Sequence, residues 1–265
     1  MKKLVGMTPF NNRTSFFDQN LETNFYETLI ETIASLCPRV VILHSAAAGY
    51  PEFLDGIPQQ GEGKIDNLEL AKNGRPFGLN AIVSITLNGI NVFEEAKGFW
   101  WFKDTHYFFR IQMKAEMYDT ETGTKLVDEI ISQNIETEEF DIELFKTQNR
   151  FEPFLLEDAF EYFVNTIAEK VCDALIVQPW KGYIAALTGD KVILSSGENC
   201  GLEAGQVLEV FDSSEIIQGM QGHRFFMPGS KIGQIKITAV FDDSAEAEII
   251  AGSKVGVGNL VKTKN

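Results

Sequence analysis

Gly197–Asp212 reads GENCGLEAGQVLEVFD, with glycines at 197, 201 and 205 ahead of an apolar run. A phosphate cradle would set such glycines between a strand and the N-terminus of a helix, whose amides and dipole hold the anion. Here Gly201 and Gly205 lead into QVLEVF, a strand by composition, and no Lys-Ser or Lys-Thr pair closes the loop. Glu198 and Glu203 would repel a phosphate. The glycines therefore read as corners of a small β-barrel. The residues around them agree. Beyond Tyr183 helical periodicity disappears, and short β-rich runs recur between glycines: KVIL, QVLEVF, KIGQIKITAVF, AEAEII and GNLVK. Five such strands predict a closed or nearly closed all-β barrel over 179–265.

Residues 1–178 obey other patterns. Lys3–Phe10 is a short apolar run ending in Pro9 and the turn-forming Asn11-Asn12. In FYETLIETIASLC, Phe25, Leu29, Ile33 and Leu36 recur at helical steps, Pro38 ends the helix, and RVVIL is a β-branched strand. This β-α-β opening predicts an α/β domain with a mixed sheet. Ser45–Gly78 is a long polar, Gly- and Pro-rich segment with one helical patch, NLELAK. Three strands follow, LNAIVSITLNGINVF, HYFFRIQMKAEMYD and KLVDEIISQNIE, as an antiparallel meander. ETEEFDIE (136–143) reads as the start of a solvated loop without calcium-loop spacing. LLEDAFEYFVNTIAEKVCDALIV has a wide apolar stripe, with Glu157 and Asp158 expected in the first helical turn. Pro179 breaks this helix and marks the domain boundary.

A formal net charge of −15 argues against nucleic-acid binding, which needs clustered cations, and against adsorption to an anionic membrane surface. No segment has the apolar length of a transmembrane helix. Cys37, Cys172 and Cys200 form no CxxC pair, so no metal is expected. Cys37 and Cys172 pair only if their helices are neighbours, and buried free thiols are the simpler reading. His44, His106 and His223 are isolated, Ser195 and Ser196 lack a nucleophile elbow, and Asp242, Asp243 and Glu246 fit a solvated turn. The sequence implies neither an enzyme nor a cofactor.

The segments VILSSGENCGLEAGQVLEVF, PGSKIGQIKITAVFDDSAEAEII and KVGVGNLV resemble the C-terminal SH3-like barrel of the flagellar assembly protein T family. The matching positions are Gly201, Leu202, Gly205, Val210, Gly233, Ile235, Ile237, Glu246, Gly256 and Val261, with Asn259 where Asp is usual. MTPFNNRT, LNAIVSITLNGINV and MYDTETGTKLVDE resemble the fold shared by the TolB N-terminal domain and the CsgG-type curli secretion family. That fold is also similar to the middle domain of the flagellar family. The resemblance implies a non-enzymatic scaffold or adaptor of an outer-membrane-associated assembly, with envelope or basal-body proteins as partners. It implies a periplasmic or outer-membrane-associated location if a signal peptide, with or without a lipid-bearing cysteine, has been removed, and a cytoplasmic one otherwise. The alternative it carries is a secretion component whose first domain oligomerises into a pore collar.

GFWWFKDTHYFF (98–109) holds two tryptophans and five other aromatics, more than a hairpin connection requires. Aromatic anchors bury large area at small entropic cost and are favoured at interfaces. Phe99, Trp100, Trp101, Phe102 and Tyr107 are the candidate partner-binding residues, with Phe225 and Phe226 of HRFFMPG as a second set. The competing reading is that alternate aromatics simply fill the core and cover a loop.

Overall fold

The computed structural model describes residues 1–16, 18–61, 64–99, 101–148, 153–189, 191–219 and 223–264. The opening unit is strand β1 (Lys3–Met7), helix α1 (Gln19–Leu36) and strand β2 (Val40–Leu43). Asp18 caps α1 by accepting from the Leu21 amide. Strands β3 (Ala81–Phe99), β4 (Phe102–Asp119) and β5 (Lys125–Thr137) form the antiparallel meander. Together these elements make a six-stranded mixed sheet in the order β2-β1-β3-β4-β5, with Asn11–Asn12 as a further partner of β3.

Side chains alternate across these strands, and both faces at the base of the sheet are buried. Val5, Val83 and Met117 face a core built with α1 and with helix α4 (Pro153–Ile176). Leu4, Ile82 and Tyr118 face the opposite cluster, formed with Leu54, Leu70 and Leu79. Leu70 belongs to helix α2 (Asn67–Gly74), the NLELAK patch of the long polar segment. Phe109 and Phe163 are fully buried, and each such side chain contributes about 1.5–3 kcal/mol by leaving water.

Three expectations need correction here. ETEEFDIE enters helix α3 (Glu139–Gln148) and not a loop. Its carboxylates Glu139 and Asp141 complement the helix N-terminus, Asp141 accepts from Thr137 Oγ1 at 2.6 Å, and Ile142 is buried. α4 begins at Pro153, so Glu157 and Asp158 lie beyond its first turn. Proline at a helix start costs no hydrogen bond, because that amide has no intrahelical partner anyway. Cys37 and Cys172 are a disulfide and not free thiols, with Cα atoms 5.8 Å apart. α1 and α4 pack side by side on one sheet face, which brings the Cys37 cap against the inward stripe of α4. Cys200 is free and buried.

The C-terminal segment is a closed barrel of strands β6 (Gly182–Thr188), β7 (Lys191–Leu194), β8 (Val207–Asp212), β11 (Ser230–Val240), β12 (Ala245–Ala251) and β13 (Leu260–Thr263). β9 (Ile216–Gln218) and β10 (Arg224–Phe226) form a separate two-stranded hairpin. β6 completes the ring beyond the five strands read from sequence; GYIAALT is small-residue-rich and pairs at both of its edges. Gly201 (φ 78°) and Gly205 (φ 89°) are left-handed corners before β8, as a barrel requires of them. Asn259 Oδ1 accepts from the Gly256 amide at 2.7 Å, the local turn bond available to either Asn or Asp.

The barrel meets the sheet at the turn Asp119–Thr124. Arg75, just beyond α2, is buried and donates to the carbonyls of Thr120 (3.0 Å), Glu121 (2.6 Å) and Ser213 (3.2 Å). Burial pushes its pKa down, opposed by Tyr183, Glu121 and Asp119. Lys181 is buried, paired with Asp119 and within 3.6 Å of Glu121, whose other oxygen takes Lys262 at 2.8 Å. Thr120 Oγ1 lies 3.0 Å from the Tyr183 hydroxyl. Gly78 has φ 69°, and a Cβ there would sit 2.0 Å from the Ser195 carbonyl oxygen, so only glycine allows this closeness.

Candidate functional site

β3 and β4 are longer than the sheet that holds them. β1 pairs with β3 only at Ala81–Val83 and Asn11–Asn12 only at Thr86–Leu87. From Gly89 the outer edge of β3 has no strand beside it among the described residues. β5 accompanies β4 as far as the Tyr107–Thr137 pair. Beyond it only two strands continue, from Glu95–His106 to Phe99–Phe102. The segment from Gly89 to Phe99 spans roughly 30 Å at about 3.3 Å per residue. It is an arm, and the aromatic run is at its end.

Charged and aromatic pairs stiffen the arm. On its open face Phe93 and Phe108 stack with centroids 5.2 Å apart, Arg110 covers Phe93 at 4.6 Å, and Lys97 covers Phe108 at 4.7 Å. Arg110 Nε also donates to Asn134 Oδ1 at 3.0 Å, and His106 contacts Glu136. The hydrogen bond from His106 holds the Glu136 carboxyl below its ordinary range. On the other face Phe109 meets Phe145 of α3 edge-on at 5.5 Å.

The aromatic run therefore divides. Phe108 and Phe109 are buried and hold the arm to its neighbours. Tyr107 is half-buried, with its hydroxyl pKa raised by desolvation and a hydrogen bond to Glu139. Trp101, in the turn, is 80% exposed. Phe99 and Phe102 are the last register pair before that turn. Trp100 lies outside the described residues.

The second candidate set also divides. Phe226 is buried with the Arg75 guanidinium 3.7 Å from its ring centroid, and its amide donates to Thr122 O at 2.9 Å. It pins the β9–β10 hairpin to the sheet and offers no surface, which corrects the expectation for this residue. Phe225, half-buried, lines a cleft of about 640 Å³ with Arg13, Lys64, Lys114 and Lys125. Lys114 and Lys125 reach Glu116 at 2.7 and 2.5 Å and Asp128 at 3.4 and 3.1 Å. Burial alone would raise the Glu116 pKa, but the two lysines carry it below the ordinary value.

Nothing in the sequence pattern singled out Arg75 or Lys181, because an isolated cation looks the same whether solvated or buried. Ser195 Oγ sits at the interface, 3.2 Å from Tyr183 O. His44, His106 and His223 belong to separate regions, and Glu246 pairs with Lys191 at 2.7 Å. Among the described residues no group of three or more His, Cys, Asp or Glu is placed to hold a metal ion, and no helix is long and apolar enough to cross a membrane.

No family model matches the chain, and no curated protein matches it by sequence. Among solved structures it is similar to a hypothetical protein from Chlamydia trachomatis, at TM-score 0.37 and 17% identity over 65% of this chain and 99% of that one. It is also similar to a lipoprotein from Neisseria meningitidis, at TM-score 0.31 and 18% identity over 63% of this chain and 99% of that one. A PelC dodecamer from Paraburkholderia phytofirmans aligns at TM-score 0.34 and 9% identity over 65% of this chain and 88% of that one. At these scores the likeness transfers no property of those proteins to this chain.

Proposed function

We propose that this chain is a non-enzymatic scaffold or adaptor of an outer-membrane-associated assembly, with a flagellar basal-body structure as the leading case. In this reading a TolB-N/CsgG-like domain presents the arm, and an SH3-like barrel braces its base. The partner meets the tip, at Phe99, Trp100, Trp101 and Phe102. The observation that carries the proposal is the 80% exposure of Trp101 at the end of a stiffened two-stranded arm. A large aromatic this exposed still has apolar area to bury against a partner. The sequence resemblance supports the assembly, and the Cys37–Cys172 disulfide supports an oxidising compartment such as the periplasm.

The pore-collar alternative predicts a stable ring of this chain, and a collar whose arm also entered the membrane would need an apolar band along one face, roughly 9–11 residues per strand. Exposed Glu94 and Glu95 are consecutive in β3 and so lie on opposite faces, leaving neither face apolar. That speaks against an arm that enters the membrane, and the adaptor reading needs no such entry. Its test is capture of partners by the tagged full-length protein from gently solubilised envelopes, followed by mass spectrometry. Basal-body ring proteins should co-purify with the native chain and fall at least tenfold with Trp101→Ala. Equal capture by the folded variant would sink the tip as the docking element, and recovery of secretion components would favour the collar.

A further inference from the structure

We propose that β5 is a pairing edge through which two copies of this chain join into one continuous antiparallel sheet, about a two-fold axis at Ile131. The inference is independent of the proposed function. β5 is 13 residues long and pairs only with β4. Among the described residues no backbone hydrogen bond reaches its outer side. An edge strand of that length presents a row of unpaired N–H and C=O groups, which proteins usually blunt with short strands, charged side chains, proline or a covering element; here the charges lie towards the ends and the run from Ile130 to Ile135 has none. The opposite side of the sheet is stepped: β2 is only four residues long, and β3 is open only in the arm, from Gly89 on. KLVDEIISQNIET has neither proline nor glycine, and Ile130 at its middle is 60% exposed.

The strand is complementary to itself. A two-fold contact pairs residue i with j and j with i. Because side chains alternate, opposite residues must share a face. With the axis at Ile131, the helix-covered face sets Val127 against Ile135, Glu129 against Gln133 and Ile131 against its own copy. The open face sets Ile130 against Ser132 and Asp128 against Asn134, with Leu126 against Glu136 at the ends. No like charges oppose each other in these pairs.

Neighbouring registers are worse. An axis at Glu129 sets two carboxylates face to face, and one at Ser132 sets Asp128 against Glu136 twice. An axis at Ile130 puts Ile131 opposite Glu129, and one at Gln133 shortens the overlap. Like charges directly opposite are destabilising, whereas aliphatic pairs contribute. The occupant that fits the centre of this edge, from Val127 to Ile135, is therefore a second copy.

Sedimentation velocity on the full chain should show a dimer whose population rises with concentration. Gln133→Glu adds a carboxylate opposite the partner's Glu129 on both sides of the axis and should weaken dimerisation at least tenfold. Gln133→Lys makes two new ion pairs at the same positions and should tighten it. The two variants differ in charge at one half-buried site, so a folding defect would affect them alike and is checked by circular dichroism. The double variant Ile130→Cys/Ser132→Cys should cross-link into a dimer on mild oxidation and be released by dithiothreitol. A monomer at every concentration, a ring larger than two, or equal behaviour of the two Gln133 variants would overturn the proposal.

Discussion

The two ends of β4 differ in what they do with their most costly side chains. At its base, Asp119 is out of water and committed to Lys181, beside a turn whose carbonyls are held by Arg75. At its tip, Trp101 is left in water. Burying a charge is tolerable only when its partners are fixed in place, so the base must be rigid. Exposing a large aromatic forgoes its burial on folding and keeps that free energy for association. One strand thus runs from a buried clamp to a turn whose tryptophan is largely exposed.

The sharpest way to break this contrast is at the clamp. Lys181→Met leaves Asp119 buried without its cation and Glu121 with Lys262 alone. The loss should be about 3–5 kcal/mol, read as a lower urea midpoint. Adding Asp119→Asn should recover part of it, because the uncompensated charge is then gone. An unchanged midpoint in Lys181→Met would mean that the clamp is already hydrated.

The disulfide comes next in expected size. Cys37 and Cys172 close a loop with a sequence separation of 135 residues. Cys37→Ser/Cys172→Ser should lower stability by about 2–4 kcal/mol, and dithiothreitol should then have no further effect on the variant. Alkylation of three thiols in the unfolded chain without reductant, in place of Cys200 alone, would show that the pair is reduced in its compartment.

Much of this architecture was legible as periodicity. The helical stripes of α1 and α4 and the alternation of β4 fixed a two-layer arrangement, and glycine corners fixed the barrel. Three things were not legible, each for a physical reason. β6 is built from small residues and gains its place from closure of the ring, which is a long-range fact. α3 was hidden by its acidic start, since carboxylates mark a helix N-terminus and a solvated loop equally well. The disulfide depended on which helices are neighbours. For the candidate site, aromatic density located the arm's tip but could not separate Trp101 from Phe108, or Phe225 from Phe226. That division is one of burial, set by how the chain folds around each ring: Phe108 and Phe226 are buried, each with a cation over its ring, while Trp101 is 80% exposed.

A smaller effect is expected in acid, at the open face between clamp and tip. The folded Glu116 carboxyl is held below its ordinary value of 4.5 by Lys114 and Lys125. A depressed folded pKa means that the unfolded chain takes up the proton first as pH falls. The contribution of Glu116 is thus complete near neutrality and is lost on acidification through the ordinary value towards the folded one. Denaturation midpoints should be flat from pH 7 to about 5.5 and fall below that. Glu116→Gln should flatten part of the decline, leaving the share due to the other carboxyls shifted the same way, among them Asp66, Asp128 and Glu136.

The smallest stability effect is expected where the effect on association is largest. Trp101→Ala should leave the urea midpoint unchanged within about 0.5 kcal/mol, as for other exposed positions. Phe108→Ala, seven residues along the same aromatic run, empties a buried site under Lys97 and against Phe93. It should cost about 3 kcal/mol or more. A large loss from Trp101→Ala would mean that the turn tryptophan is part of the arm's own packing and is not held in reserve for a partner. Near-neutral behaviour in both variants would mean that the distal arm contributes little to the fold, and that its stiffness must come from the strands' hydrogen bonds. Only the combination of a silent Trp101 and a costly Phe108 preserves the division of the run into support and contact.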